Sequence, residues 1–248
     1  MKGVVNVGEI VHSSTVDWPK KVVSVVFFKK CQLRCPWCHN PDLIEDDKKR
    51  VVISDVVKSI VENRKLIDGV VLTGGEPTLQ KNAITSLCYE LQNKQLNVML
   101  GTNGIEYNVI DKLVKEKLIQ RIAIDFKAPL DDLSLFQKIT NTKDASFFDN
   151  FKKTLKLSKS WDLEIEYRTT IIPGLNSDPA VVEKIVQSIP KCDLYTLQQF
   201  RSDVLLVDKE YNKIKSPSRD ELYSLGKTAK KYIQRVMIKT KERGDEYI

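Results

Sequence analysis

From residue 21 onward, short apolar runs alternate with stretches that repeat apolar residues at helical spacing. VVSVVFF (22–28) is almost wholly apolar, as expected for a strand covered on both faces. The stretch from Ser54 to about Lys65 puts Val56, Val57, Ile60 and Val61 on one helical face, with Ser54 as a candidate N-cap. Further strands are predicted at GVVLT (69–73), LNVMLGT (96–102), IQRIAIDF (119–126), LEIEYRTTII (163–172) and DLYTLQQF (193–200). Helices are predicted at about 82–94, 109–117, 147–160 and 180–189, with Pro179 suited to a first turn. Residues 127–145 read as a loop. A last helix starts at Ser218, with Glu221 in capping-box spacing, and RVMIK (235–239) is a candidate seventh strand.

Such alternation implies parallel strands joined by right-handed crossovers. Six or seven units of this kind form a barrel, open or closed, or a doubly wound sheet, and periodicity alone does not choose. In each case the chemistry belongs at the C-terminal ends of the strands. The polar motifs fall there. CQLRCPWC follows the first run, GGEP (74–77) ends the second, TNG (102–104) ends the third, and Asp125 and Lys127 end the fourth. Arg168 and an Ile-Pro-Gly turn close the fifth, and Gln198, Gln199 and Arg201 close the sixth. One mouth of the fold is expected to collect them.

Composition adds bounds rather than detail. The 248 residues are 42% hydrophobic and 29% charged, ordinary for a globular chain. No apolar run approaches the ~18 residues needed to span a bilayer. The start, MKGVVNVGEIVHSS, has no signal-peptide pattern, which places the chain in the cytoplasm. Lys and Arg exceed Asp and Glu by 40 to 33, a net charge of +7. The lysines are spread through most predicted helices, so a solvated basic surface is a simpler reading than a nucleic-acid site. A basic face also suits an acidic electron carrier.

The cysteines change the picture more. There are five, Cys31, Cys35, Cys38, Cys88 and Cys192, and an odd number argues against a disulfide framework. Cys88 in a helical pattern and Cys192 at a strand start read as small core residues. Cys31, Cys35 and Cys38 lie within eight positions. A closed zinc site needs four ligands. His39 adjoins Cys38, and neighbouring side chains rarely bind one ion together. A cubane iron–sulfur cluster takes four thiolates. Three would leave one iron open, the mark of a site that binds a reactant.

The spacing C-x3-C-x2-C, with Trp37 before the third cysteine, resembles the signature of the radical S-adenosylmethionine (SAM) superfamily. The resemblance implies a partial (β/α)6 TIM-like barrel and a [4Fe–4S] cluster held by Cys31, Cys35 and Cys38. It implies that SAM binds the open iron and is cleaved reductively to a 5′-deoxyadenosyl radical. Gly74-Gly75-Glu76-Pro77 resembles the family's GGEP, with Glu76 expected to accept from the SAM ammonium; the alternative is a plain strand-end turn. Trp37 is expected near the adenine and His39 near the SAM site. Asn103 sits in a TNG turn that contacts SAM in the family, or is a simple Asn-Gly turn. Asp125-Phe126-Lys127 resembles the D-x-K of glycyl-radical activases. Residues i and i+2 of a strand share a face, so both could reach one ligand. Arg168 is a further SAM-site candidate.

Residues 14–44, together with GGEPTLQ, RTTIIPG and LQQFR, are similar to anaerobic ribonucleoside-triphosphate reductase activating proteins, over about residues 8–203. The implied function is to install a glycyl radical on such a reductase, with reduced flavodoxin or ferredoxin as electron donor and no membrane involvement. The alternatives are a radical SAM enzyme acting on RNA or a small metabolite, and a non-enzymatic zinc or RNA-binding module. One domain is expected over residues 1–248, with a core at about 20–203 and a basic helix-and-strand extension at about 204–248. Two positions depart from the family: Lys20 and Lys30 stand where glycine is usual. If glycine served a positive φ there, lysine would be strained. The Lys29-Lys30 pair has no role at this level.

Overall fold

The computed structural model describes residues 3–47 and 49–248. The chain opens with β1 (Val4–Val5) and β2 (Val7–Ser14), then β3 (Val23–Phe28), β4 (Val51–Val52) and α1 (Ile53–Val61). Next come β5 (Gly69–Gly74), α2 (Lys81–Asn93), β6 (Asn97–Thr102), α3 (Tyr107–Lys115) and β7 (Arg121–Asp125). They are followed by α4 (Leu133–Thr140), α5 (Ser146–Ser158), β8 (Glu164–Ile171), α6 (Pro179–Ser188) and β9 (Leu194–Gln199). The last elements are α7 (Arg219–Lys230), β10 (Val236–Thr240) and β11 (Gly244–Tyr247).

Among the described residues, β1 and β4 form a short ribbon and the rest form one nine-stranded sheet, in the order β11-β10-β9-β8-β7-β6-β5-β3-β2. Strands β3 and β5 through β10 are parallel in sequence order, and β2 and β11 add antiparallel edges. The sheet curls but does not close through backbone pairing. Lys239 Nζ, on β10, donates to the carbonyl of Val16 beyond β2, and Lys20 lies 5.7 Å over the Tyr247 ring. This is a partial barrel of six β/α units with a seventh parallel strand. The expected architecture is observed, and residues 219–240 continue its repeat.

The two faces of the sheet divide the residues by period 2. Val26, Phe28, Val70, Leu72, Val98, Leu100, Ile122 and Ile124 face outward and join the apolar faces of the helices in one large core. Each such buried side chain contributes about 1.5–3 kcal/mol. The alternate residues Val23, Val25, Val71, Met99 and Ala123 face inward around Trp18. Trp18 is 3% exposed and lies against Gly69, so it plugs the N-terminal end of the barrel. The inner faces of β7 and β8 also carry charges, with Arg121 paired to Glu164 and Glu166.

Three local expectations need correction. Ser54 does not cap α1: the helix starts at Ile53 after Val52, because residues 51–52 are taken by the ribbon with β1. The 127–145 loop contains α4, whose Asp132 carboxylate accepts from Leu135 N at 2.8 Å. Cys192 precedes β9 rather than opening it. The capping box at Ser218 and Glu221 is present.

Lys20 and Lys30 have φ of 64° and 78°. The loops therefore keep the left-handed backbone that glycine serves, and lysine occupies it. Lys30 is exposed, so its Cβ gains no packing in return. Lys30→Gly should stabilise the protein by about 1 kcal/mol, because relief of the left-handed strain exceeds the added chain entropy. Calorimetry should show Tm rising about 2–4 °C. Lys30→Ala, which keeps the strain, should stay within about 1 °C of the parent. Equal Tm values for the Gly and Ala variants would remove the strain argument.

Candidate active site

The three thiols hang on the loop that leaves β3. That loop is fastened by its backbone. Lys30 N and Cys31 N donate to the carbonyls of Leu43 and Ile44 at 2.8 and 2.9 Å. Arg34 N donates to the carbonyl of Thr140 at the end of α4 (3.1 Å), and Arg34 Nη1 donates to the carbonyl of Cys31 (2.6 Å). Cys38 N donates to the carbonyl of Cys35 at 3.0 Å, tightening the last turn. Cys31, Cys35 and Cys38 then line one side of a cavity of about 390 Å³ at the C-terminal mouth of the barrel. Burial pushes the Cys31 thiol up to about 12, helped by the nearby Glu76. Burial likewise raises Cys35 to about 11, against the opposing charge of Lys127, and raises Cys38.

The GGEP turn is built for backbone contact. A Cβ on Gly74, at φ +118°, would lie 2.4 Å from Phe28 N. One on Gly75 would lie 2.5 Å from the carbonyl oxygen of Lys30. Both glycines line the cavity, yet the missing side chain of Gly74 makes room for the end of β3 and that of Gly75 for the cysteine loop itself. Glu76 turns away from the cavity and has no exposed surface. Its Oε1 accepts from Thr78 N at 3.1 Å, from the Thr78 hydroxyl, and from Thr102 Oγ1 at 2.8 Å. Its Oε2 accepts from Asn103 N at 2.7 Å. Burial raises its pKa, and these bonds oppose the rise. Glu76 thus ties the GGEP turn to the TNG turn; it does not offer a free carboxylate to a ligand. Asn103 does line the cavity, with Nδ2 3.2 Å from Gln32 Oε1 and 4.0 Å from Cys31 Sγ.

Beside the cysteine loop, Asp125 and Lys127 form an ion pair, with Nζ 2.8 Å from Oδ2. Burial works against the ammonium, but Asp125 and the Cys35 sulfur outweigh it and hold Lys127 above the ordinary lysine range. Lys127 Nζ also lies 5.2 Å over the Trp37 ring. Trp37 is fixed by its own N–H, which donates to the Ile139 carbonyl of α4 at 3.0 Å. His39 stands edge-on to Trp37 at 6.5 Å. Its pKa is lowered, first by burial and then by Arg201, which favours the neutral ring. Arg168 lines the cavity floor and binds the buried carboxylate of Glu166.

The structure therefore brings together Cys31, Cys35, Cys38, Trp37, His39, Gly74, Gly75, Asn103, Asp125, Lys127 and Arg168 around one cavity and keeps Glu76 behind it. Sequence reading missed Glu166, and missed Lys239 and Lys241, which also line the cavity. Glu166 had a signal: Glu164, Glu166, Arg168 and Thr170 alternate along one strand face. The donor set fits a cluster. Among the described residues no three His, Cys, Asp or Glu side chains converge on a single-ion site. Ligands to different irons of a cubane stand farther apart than ligands to one ion. The volume left beside the thiols is of the size that holds a small molecule.

Comparison with known proteins agrees with this geometry. A family model described as the radical SAM superfamily matches residues 25–184. A Methanocaldococcus jannaschii protein, described by assignment as a glycyl-radical enzyme activating enzyme, is 36% identical over 234 residues. That alignment covers 94% of this chain and 95% of the relative. A pyruvate formate-lyase-activating enzyme of Clostridium pasteurianum is 24% identical, covering 88% of this chain and 94% of its own. Among solved structures, a radical SAM methyltransferase from Sphaerobacter thermophilus superposes with a TM-score of 0.67 at 12% identity, over 95% of this chain and 76% of that one. The matched span holds the cysteine loop, the glycine turn and the charged strand ends, and the chain belongs to the radical SAM superfamily, whose members use a [4Fe–4S] cluster and SAM.

Proposed function

We propose that this protein is an activating enzyme that generates a glycyl radical on a partner protein. The observation behind this reading is the single cavity that gathers three thiols, a buried lysine–aspartate pair and an arginine at the mouth of an open barrel. The near full-length similarity to a Methanocaldococcus jannaschii protein named for this activity, together with the pyruvate formate-lyase-activating enzyme of Clostridium pasteurianum, supports the reaction class.

In this reading Cys31, Cys35 and Cys38 hold the cluster. Lys127 pairs with the SAM carboxylate through a charge-assisted bond, and Asp125 balances the ammonium groups around it. Trp37 offers its ring to the adenine, with His39 beside it. Gly74, Gly75 and Asn103 shape the near wall, and Glu76 braces the two turns that form it. When bound, the cluster and SAM supply a one-electron cleavage to methionine and a 5′-deoxyadenosyl radical. The protein's share is to bind, orient and exclude water. The partner supplies a glycine Cα–H, and its segment enters at the C-terminal mouth, where the cavity lies.

The motifs TVDWP, CHNP and LQQFR favour an anaerobic ribonucleotide reductase as partner, whereas the Clostridium pasteurianum relative is named for pyruvate formate-lyase. The net charge of +7 suits docking of reduced flavodoxin or ferredoxin.

Two experiments test this reading. Anaerobic reconstitution followed by iron and sulfide analysis should give one four-iron cluster per chain, and dithionite with SAM should release 5′-deoxyadenosine. Lys127→Met should keep its iron yet bind SAM at least about tenfold more weakly by calorimetry, the loss expected for a hydrogen bond to a charged group. Unchanged affinity would remove Lys127 from the SAM site. For the partner, the loaded enzyme should produce a glycyl doublet by electron paramagnetic resonance on a ribonucleotide reductase of the anaerobic class. A doublet only on a pyruvate formate-lyase would reassign the target. SAM turnover with no doublet on either would end the activase reading.

A further inference from the structure

Glu76 and Glu166 are the two described carboxylates with no exposed surface, and the environments around them differ. Glu76 meets neutral donors. Glu166 meets two guanidinium groups and a hydroxyl. Its Oε1 accepts from Arg168 Nε (2.8 Å) and Thr196 Oγ1 (2.7 Å). Its Oε2 accepts from Arg168 Nη2 (3.0 Å) and Arg121 Nη2 (2.7 Å). Burial alone would raise its pKa, but Arg168 and then Arg121 bring it down to about 2. The carboxylate is ionised throughout the neutral range.

The two arginines sit differently. Arg168 lines the cavity; Arg121 is 2% exposed, lies deeper, and does not reach it. Glu166 and Arg168 are two apart on β8 and share its inner face. Among the described residues, the hydrogen bonds of the Arg168 side chain are the two to Glu166, through Nε and Nη2. That forked contact fixes the plane of the guanidinium and leaves its remaining N–H groups for the cavity. A flexible arginine on an unsupported floor would have to be ordered by the reactants at each turnover. Arg121 compensates the deep carboxylate and is itself held by Glu164.

We propose that Glu166, backed by Arg121, is a positioning residue: it sets the depth and plane at which Arg168 presents its free donors to the bound reactants. The proposal rests on reading the cavity as the reaction site. A merely structural ion pair would stabilise the barrel without affecting turnover.

The test uses the full-length protein. Glu166→Gln alone leaves two cations around a neutral amide, so the paired variant Arg121→Met with Glu166→Gln serves where the single one does not fold. In apo protein with isotope-labelled arginine, the Arg168 Nε–H signal, assigned by its loss in Arg168→Lys, should exchange with solvent at least about tenfold faster in the variants than in the parent. In the cluster-loaded enzyme, with iron content unchanged, 5′-deoxyadenosine formation should fall on the order of tenfold to a hundredfold. In an Arg168→Lys background the same change should cost less than about twofold more, because the effect runs through Arg168. Parent-like turnover of a folded, iron-replete variant overturns the proposal, as does an equal loss in both backgrounds. An unchanged Nε–H exchange overturns it too. A parent enzyme that never cleaves SAM instead removes the reading of the cavity, and the exchange measurement still judges the clamp.

Discussion

The site depends on a carboxylate that never reaches it. Glu76 is sealed from solvent, and both its oxygens are taken by Thr78, Thr102 and Asn103. An unsatisfied carboxylate at that depth would cost several kcal/mol, so the turns must meet it. Its own backbone N–H donates to the Lys30 carbonyl at 2.8 Å, and Gly75 N donates to Phe28 at 2.8 Å. One residue therefore ties the ends of β5 and β6 to the root of the cysteine loop. The absence of a side chain on Gly75 is what lets that loop lie close enough.

A second layer of fastening comes from α4. Its last turn accepts from Trp37 Nε1 and from Arg34 N through the Ile139 and Thr140 carbonyls. Helix carbonyls at a C-terminus lack intrahelical partners, and here the cysteine loop supplies the donors. The loop thus bridges the strand ends on one side and a helix end on the other. Three thiols spaced along a flexible segment become three thiols facing one cavity.

The two buried glutamates show how neighbours decide what a carboxylate does. Neutral donors around Glu76 leave its pKa raised, and it serves as a knot between turns. Paired arginines around Glu166 hold it at about 2, and it serves as an anchor for charge. The inward faces of β3, β5 and β6 are apolar, while those of β7 and β8 are charged. The cavity is therefore lined by thiols, small residues and paired ions together, an arrangement that can shelter reactive charge at low cost.

Much of this was legible in the chain. Short continuous apolar runs marked the strands, because a parallel strand covered on both faces has to be apolar, and apolar residues at period 3.6 marked most helices. The cysteine spacing and D-x-K pointed to residues that line the candidate site, and GGEP to its two glycines though not to the facing of Glu76, because local spacing along a loop or strand suffices to bring such groups together. Helix α4 was hidden because LSLFQKIT spans barely two turns and buries only Phe136, Ile139 and Thr140, too short a pattern to stand out from a loop. The sequence also raised the question of Lys20 and Lys30 without answering it, since φ is set by what the loop must join. Which way Glu76 faces, that Glu166 clamps Arg168, and that Lys239 and Lys241 complete the wall were decided only by tertiary structure. Thr102 and Asn103 around Glu76, Arg121 and Thr196 around Glu166, and the cysteine loop beside Lys239 and Lys241 all lie more than twenty positions from the residues they meet, and no local pattern encodes that distance.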